Sequence, residues 1–412
     1  MIKVAILGHG VVGSGVAEVL SKNAKSIAKK AGDDISVEKI LDLREFPDSP
    51  LADKFTKDID EILDDKSIQI VVETMGGLRP AYDFVKSALE KGKSVVTSNK
   101  ELVSVKGDEL LEIAAKNNVN FLFEASVGGG IPILRPLDQC LAANEVHVIN
   151  GILNGTTNFI LDNMLNRGMG FEAALSEAQE LGYAEKDPSA DVDGVDTCRK
   201  ISILGSLAFG YHINPDDIST EGIRNVSLDD VSYAEAFGGT IKLIGYIKKL
   251  DDDTVTAFVA PMVVQNGNML ADINGVFNGI MIKGDAIGDV LFYGRGAGKL
   301  PTASAVVADI IDIANHLENR KRLFWHPEKP SYVSDSSSFK SDWMLRFKCD
   351  DRSVFEDALK NKNISFEVVD KVVSGEIGVV VSDMSANEIN VLESALTNEL
   401  ISKYRVVEAS ES

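Results

Sequence analysis

"MIKVAILGHGVVGSGVAEVL", residues 1–20, passes from an apolar run through a glycine turn into a helical pattern. Gly8, Gly10 and Gly13 stand in GxGxxG spacing directly after the strand-like "KVAIL", and Val11, Val12, Val16, Val19 and Leu20 share one side of the helical segment beyond the turn. A strand feeding a glycine turn and then a helix is the opening of a dinucleotide-binding βαβ unit. The first glycine permits the tight turn, the second lets a pyrophosphate approach the backbone, and the third lets helix and strand pack closely. The helix N-terminus then faces the phosphates with its unpaired N–H groups. Contacts to a dinucleotide are expected at Gly8, Gly10, Val11, Val12 and Gly13, with His9 a neutral bystander.

Working outward, "ISVEKILDL", "IQIVVET", "SVVTSN" and "NFLFEAS" read as further strands, separated by helical patterns near 80–91 and 106–117. Alternation of this kind predicts a doubly wound parallel sheet, an α/β fold of Rossmann type, over residues 1–131. In such sheets ligands lie beyond the carboxyl ends of the strands. Lys100, just past a strand, therefore joins the cofactor set, with Thr74 at the end of "IQIVVET" and Gly298 in a second glycine turn, "GAGKLP". Asp42 ends the second strand and could accept a ribose 2′-OH, whereas Arg44 could meet a 2′-phosphate, so NAD and NADP both remain open. Lys100 is either a solvated lysine at a helix start or a site lysine.

From 132 to 299 the pattern changes to several helices and then β-rich sequence, predicting an inserted α+β domain for substrate and dimerisation. A helix at 300–318 is expected to return to the nucleotide domain. Residues 319–340 are polar, with Pro and Ser, and read as a linker. Residues 341–412 give β-α-β-β-α-β, the order of a ferredoxin-like unit.

Hydrophobic residues make up 44% of the 412, enough for sizeable cores, and no uninterrupted apolar run reaches membrane-spanning length. The net charge of −21 disfavours nucleic acid and anionic membrane as partners, without excluding a small anionic substrate. Cys140, Cys198 and Cys349 form no CxxC pair and suggest neither zinc nor a disulfide framework. With no secretory pattern at the start, a cytoplasmic protein is expected.

The densest chemistry lies in "ELGYAEKDPSADVDGVDTCRK", residues 180–200, where Glu180, Glu185, Asp187, Asp191, Asp193 and Asp196 close on Lys200. Asp196 and Lys200 are four apart and share a helix face. An exposed ion pair would explain that spacing. The apolar stretch Ile201–Phe209 and the acids upstream argue instead for a partly buried lysine that needs carboxylates to keep its charge. Acids there could equally hold the ammonium group of an amino-acid substrate.

Ala178 to Lys200, with Gly182-Tyr183-Ala184, Asp187-Pro188, Asp191, Gly194, Asp196 and Lys200 in register, resembles the signature of the homoserine dehydrogenase family. "TSNKELV", "FEASVGGGIPI", "GILNGTTNFIL" and "YGRGAGKLPTASAVVADI" are similar to other segments of that family. The resemblance covers residues 1 to about 320. It implies NAD(P)-dependent interconversion of homoserine and aspartate semialdehyde, on the route to threonine, methionine and isoleucine. It implies that Lys200 and Lys100 handle the proton, that Glu185, Asp191 and Asp196 bind substrate, and that Gly155 and Thr156 form a loop touching it. It also implies a monovalent cation, usually sodium, held by the Glu124 acid and the backbone carbonyls of Val127, Gly129 and Ile131, and a homo-oligomer. From the residues alone that stretch reads as a Gly-rich hinge.

Two rivals are weaker. Aspartate semialdehyde dehydrogenase needs a reactive cysteine, and no cysteine here has an evident activating histidine. A catalytically silent, nucleotide-binding amino-acid sensor would lack some of the lysines or acids, and both sets are present. The tail resembles an ACT domain, a module that often binds amino acids. Its first turn reads "CDDRSVFEDAL" in place of the usual Pro-Gly, so inhibition by threonine is expected to be weak or absent.

Overall fold

The computed structural model of the chain describes residues 1–409 except 322, 370, 371 and 397; the remaining residues of the expected linker and tail lie outside that description. Contacts divide the chain into two units. The first comprises Met1–Glu145, Ser202–Pro215 and Gly294–Pro330. Its sheet holds β1 (Ile2–Leu7), β2 (Ile35–Leu41), β3 (Phe55–Thr56), β4 (Ile68–Glu73), β5 (Ser94–Thr97) and β6 (Phe121–Leu122). All pair in parallel, in the order β3-β2-β1-β4-β5-β6. This is the Rossmann arrangement, with β1 and β4 at the crossover where a nucleotide binds. β1, β4 and β5 are buried almost throughout, which is why they read as continuous apolar runs.

The helix Lys299–Ala314 belongs to this unit and packs on the helix Val11–Lys22 that leaves the glycine turn. Its Lys299 Nζ lies 2.7 Å from Glu18 Oε2. The first part of the polar stretch expected as a linker also stays with this unit, up to Pro330. Trp325 is only 1% exposed, set edge-on to Phe123 with ring centroids 5.4 Å apart. Burying so large an aromatic side chain holds this part of the polar stretch to the first unit.

The second unit comprises Val146–Ile201, Asp216–Tyr293 and Ser331–Ser412. Its sheet contains β7 (Val146–Ile152), β8 (Ser219–Thr220), β9 (Gly239–Lys249), β10 (Val255–Gln265), β11 (Phe277–Gly284), β12 (Gly288–Arg295), β13 (Val333–Ser334), β14 (Lys340–Lys348), β15 (Phe366–Val369), β16 (Glu376–Ser385) and β17 (Leu400–Val407). The strand path is β12-β11-β7-β9-β10-β17-β14-β16-β15, with β8 and β13 short additions to β10. β7, β9 and β10 are antiparallel neighbours, whereas β17 joins β10 in parallel, Met262 facing Arg405 and Val263 facing Val406. The tail is thus continuous with the middle sheet.

Within the tail, the helices Arg352–Asn361 and Ala386–Ala395 cover a core of Trp343, Leu345, Phe347, Phe355, Leu359, Val379 and Ile389. A buried ion pair ties the tail to the helix Leu228–Ala236. Arg346 Nη1 donates to Asp230 Oδ1 at 2.5 Å, and Ser402 Oγ donates to the same oxygen. The other oxygen, Asp230 Oδ2, caps that helix by accepting from Ser227 N and Oγ. No helix among the described residues is long and apolar enough to cross a membrane.

Candidate active site

Gly8 to Gly13 form the turn the sequence predicts. A Cβ on Gly13 would lie 1.9 Å from the Gly8 carbonyl oxygen, so no other residue fits there. Gly10 opens on empty space, with no heavy atom within 4 Å of where its Cβ would stand. That is the space a pyrophosphate requires at the mouth of the helix Val11–Lys22. Val11, 67% exposed although apolar, stands beside it; Val12 is half-buried. The Thr74 hydroxyl donates to Gly8 O at 2.9 Å, so Thr74 braces the turn from β4. Gly298 is the residue preceding the helix Lys299–Ala314, at φ +132°.

Asp42 lies at the end of β2. Its Oδ2 accepts from His9 N at 2.8 Å, and the Arg44 guanidinium bonds both carboxylate oxygens. That bidentate hydrogen bonding holds the Asp42 carboxyl well below the usual carboxylate range. Asp42 and Arg44 line one cavity with Phe46, Phe55 and Lys57. His9 packs edge-on to Phe46 and Phe55, and burial lowers its pKa, so the ring stays neutral.

The sequence pattern did not single out Glu73. It is fully buried at the end of β4, and its carboxylate accepts from Thr97 Oγ1, Met75 N and Gly76 N. Burial pushes its pKa up against those hydrogen bonds. Glu73 thereby fixes the turn after β4 to the end of β5. The available signal was a lone acid closing an apolar strand. Lys100 opens the helix Lys100–Lys116, capped by Asn99, whose Oδ1 accepts from Leu102 N and whose Nδ2 donates to Gly77 O.

In the second unit, Lys200 is 8% exposed on the helix Val195–Phe209. Its Nζ donates to Leu153 O and to Asp196 Oδ2, both at 2.7 Å. Asn154 Nδ2 donates to Asp196 Oδ2 at 2.9 Å and to Asp191 Oδ1 at 2.7 Å. Asn154 also caps the helix Gly155–Arg167, its Oδ1 accepting from Thr157 N. The fold therefore joins Lys200, Asp196 and Asp191 through Asn154, a residue that the sequence pattern left unmarked. An Asn immediately before a helix was the available signal.

Thr156 Oγ1 donates to Tyr183 O at 2.7 Å, tying its loop to the turn that carries Glu185. Glu185 is exposed and not joined to Lys200; among the described residues its carboxylate takes no hydrogen bond. Asp187 and Asp193 are scaffold: Asp187 accepts from Ser189 N and Oγ, and Asp193 pairs with Arg224. An ammonium held by a carboxylate beside further acids can serve a substrate oxygen while those acids serve a substrate ammonium group.

Glu124 follows β6, and its carboxylate is engaged by the backbone. Oε1 accepts from Ile133 N and Leu134 N, and Oε2 from Arg135 N at 2.8 Å. A hard cation in this stretch would rest on main-chain oxygens rather than on that side chain. The carbonyls of Val127, Gly129 and Ile131 accept no hydrogen bond among the described residues. No group of three or more His, Cys, Asp or Glu suited to a metal occurs among those residues either. Beneath Glu124, Asp309 accepts from its N–H, and burial together with the Glu124 charge pushes the Asp309 carboxyl up to about 7.

A homoserine dehydrogenase family model matches residues 132–311, and a model for the homoserine dehydrogenase NAD binding domain matches residues 8–124. The homoserine dehydrogenase of Synechocystis is 44% identical over 321 residues, 76% of this chain and 73% of that relative. The crystal structure of a homoserine dehydrogenase from Thiobacillus denitrificans matches with a TM-score of 0.87 at 34% identity, covering 99% of each chain. A hyperthermophilic archaeal homoserine dehydrogenase in complex with NADPH matches at 28% identity and TM-score 0.65, covering 76% of this chain and 97% of the other. With a likeness that spans the glycine turn and the Asn154 cluster alike, the chain belongs to the homoserine dehydrogenase family, and it interconverts homoserine and aspartate semialdehyde in amino-acid biosynthesis with NAD(P) as cofactor.

Proposed function

We propose that Lys200 and Lys100 handle the proton of this reaction. The observation that carries the reading is the Lys200 ammonium, held at 2.7 Å by Asp196 Oδ2 and by Leu153 O in a largely buried setting. When bound, the nicotinamide supplies or accepts the hydride. As an aldehyde carbon is reduced, its oxygen gains negative charge. The Lys200 ammonium stabilises that charge and delivers the proton, and takes it back when homoserine is oxidised. Lys100 has the same role.

Glu185, Asp191 and Asp196 hold the substrate ammonium, and Gly155 and Thr156 shape the loop against the substrate. Gly8, Gly10, Val11, Val12, Gly13, Thr74, Lys100 and Gly298 hold the cofactor. The open space at Gly10 and the bracing of Gly8 by Thr74 support that set. In favour of NADP, Arg44 and Lys57 line the cavity beside the end of β2, paired there with Asp42 and Glu45, and can turn from those acids to a 2′-phosphate. The main-chain oxygens of Glu124, Val127, Gly129 and Ile131 would hold a monovalent cation, sodium.

Residues 132–299 form the substrate and dimerisation domain of a cytoplasmic dimer or tetramer, and residues 341–412 an ACT-like domain. The β-α-β-β-α-β order and the path β17-β14-β16-β15 support the last reading. At its first turn, Asp351 Oδ1 already accepts from Ser353 N and Val354 N. Those are the backbone groups an effector's carboxylate would seek, so threonine finds them taken. Initial rates of homoserine oxidation with NADP and NAD, each with and without threonine, test the reading. A lower KM for NADP and little inhibition are expected; preference for NAD, or strong inhibition, would contradict it.

A further inference from the structure

Lys242 on β9 is 1% exposed, and it has no part in the proton chemistry assigned to Lys200 and Lys100. A lone buried ammonium is costly unless its hydrogen bonds are made. Here Nζ donates to Ile273 O at 2.7 Å and to Asn274 Oδ1 at 3.3 Å, both in the loop that leads into β11. The same loop is held from the other side by the helix Gly155–Arg167. Asn158 Nδ2 donates to Ile273 O, Gly275 O and Phe277 O, and Asp162 Oδ2 accepts from Gly275 N at 3.0 Å. At the start of that helix the loop reaches Gly155 itself. A Cβ there would stand 2.6 Å from Val276 O. Gly155 and Thr156 come directly after Asn154, which organises Asp191, Asp196 and Lys200.

We infer that Lys242 is a positioning residue for the substrate loop: by fastening residues 273–274 it sets the wall against which Gly155 and Thr156 are placed. The inference rests on the reading of that loop as a substrate contact. It explains why a lysine occupies a site where a methionine would fit without an unmet charge. Ile273 O receives hydrogen bonds from Lys242 and from Asn158, so the loop is pinned between strand and helix at one atom. Burial lowers the Lys242 pKa to about 8, against the opposing pull of Asp162 and Asp272, the two charged groups that face it. Around that pH the charge-assisted bond becomes a neutral one, which holds the loop less firmly.

The test compares Lys242→Met with Thr156→Val in the full chain. Lys242→Met is expected to raise KM for homoserine about tenfold, the scale of one lost charge-assisted hydrogen bond. KM for the cofactor and kcat at saturating homoserine should stay within about twofold, a split that general loosening of the fold would not produce. In the wild type KM for homoserine should climb as pH passes about 8, and Lys242→Met should lack that component. A raised KM in Thr156→Val with a wild-type KM in Lys242→Met overturns the inference. An unchanged KM in Thr156→Val overturns instead the assignment of the loop to substrate. Should Lys242→Met not fold, Asn274→Ala, at an exposed position, removes one acceptor from Lys242. It is expected to raise KM about threefold, and a wild-type KM there overturns the inference.

Discussion

Lys200 has little access to water, and its charge is sustained by Asp196 Oδ2 and Leu153 O. Lys200→Ala should lower turnover by roughly 10²–10⁴-fold, the usual effect of removing a positioned acid–base group. Cofactor binding should persist, because the glycine turn is untouched. Stopped-flow turnover with a parallel cofactor titration measures both, and near-normal turnover would remove Lys200 from the chemistry. The pair itself was legible, since Asp196 and Lys200 stand four apart before an apolar run. Asn154 was not, because a neutral amide carries no charge pattern and its partners are 37 and 42 residues away. Glu73 escaped for a different reason: its partners are the backbone N–H groups of Met75 and Gly76 and one threonine, and no sequence pattern marks them.

Among elements, the helix Gly155–Arg167 has the least freedom at its first residue. Gly155→Ala places a methyl 2.6 Å from Val276 O, a backbone atom that cannot swing away. The expected result is a KM for homoserine raised on the order of tenfold, with overpacking costing about 1–3 kcal/mol of stability. Steady-state kinetics and a urea melt check the two parts, and a variant matching the wild type in both would show that the loop yields. In the nucleotide sheet β1, β4 and β5 were readable because burial on both faces leaves plain apolar runs, whereas the two-residue β3 left no such run. The place of Trp325 was not readable, since Phe123, against which it packs, lies far back in the chain. The ten-residue helix Arg352–Asn361 was readable, but the role of Asp351 as its cap emerges only from the hydrogen bonds.

For the whole molecule, the tail is part of the middle sheet, and Asp230 with Arg346 fastens it. Arg346→Met leaves Asp230 buried beside Ser402 and Ser227 without its cation. Breaking such a pair from one side costs about 3–5 kcal/mol. Denaturant unfolding of the variant should show a loss on that scale, and a loss below about 1 kcal/mol would mean the pair adds little. Sequence order alone revealed the tail's own strands; it could not reveal which foreign strand β17 would join, because parallel pairing across such a distance leaves no local mark. The pairing of Val263 with Val406 has a further consequence, for synthesis in the cell. The Met262–Val264 part of one edge of β10 stays open until residues 400–407 have left the ribosome, on the order of ten seconds after β10 itself at ordinary elongation rates. During that interval the nascent chain offers an unpaired apolar strand to its neighbours on the same message. Translation speed and chaperone supply, as well as the stability of the finished enzyme, should therefore affect how much of it accumulates.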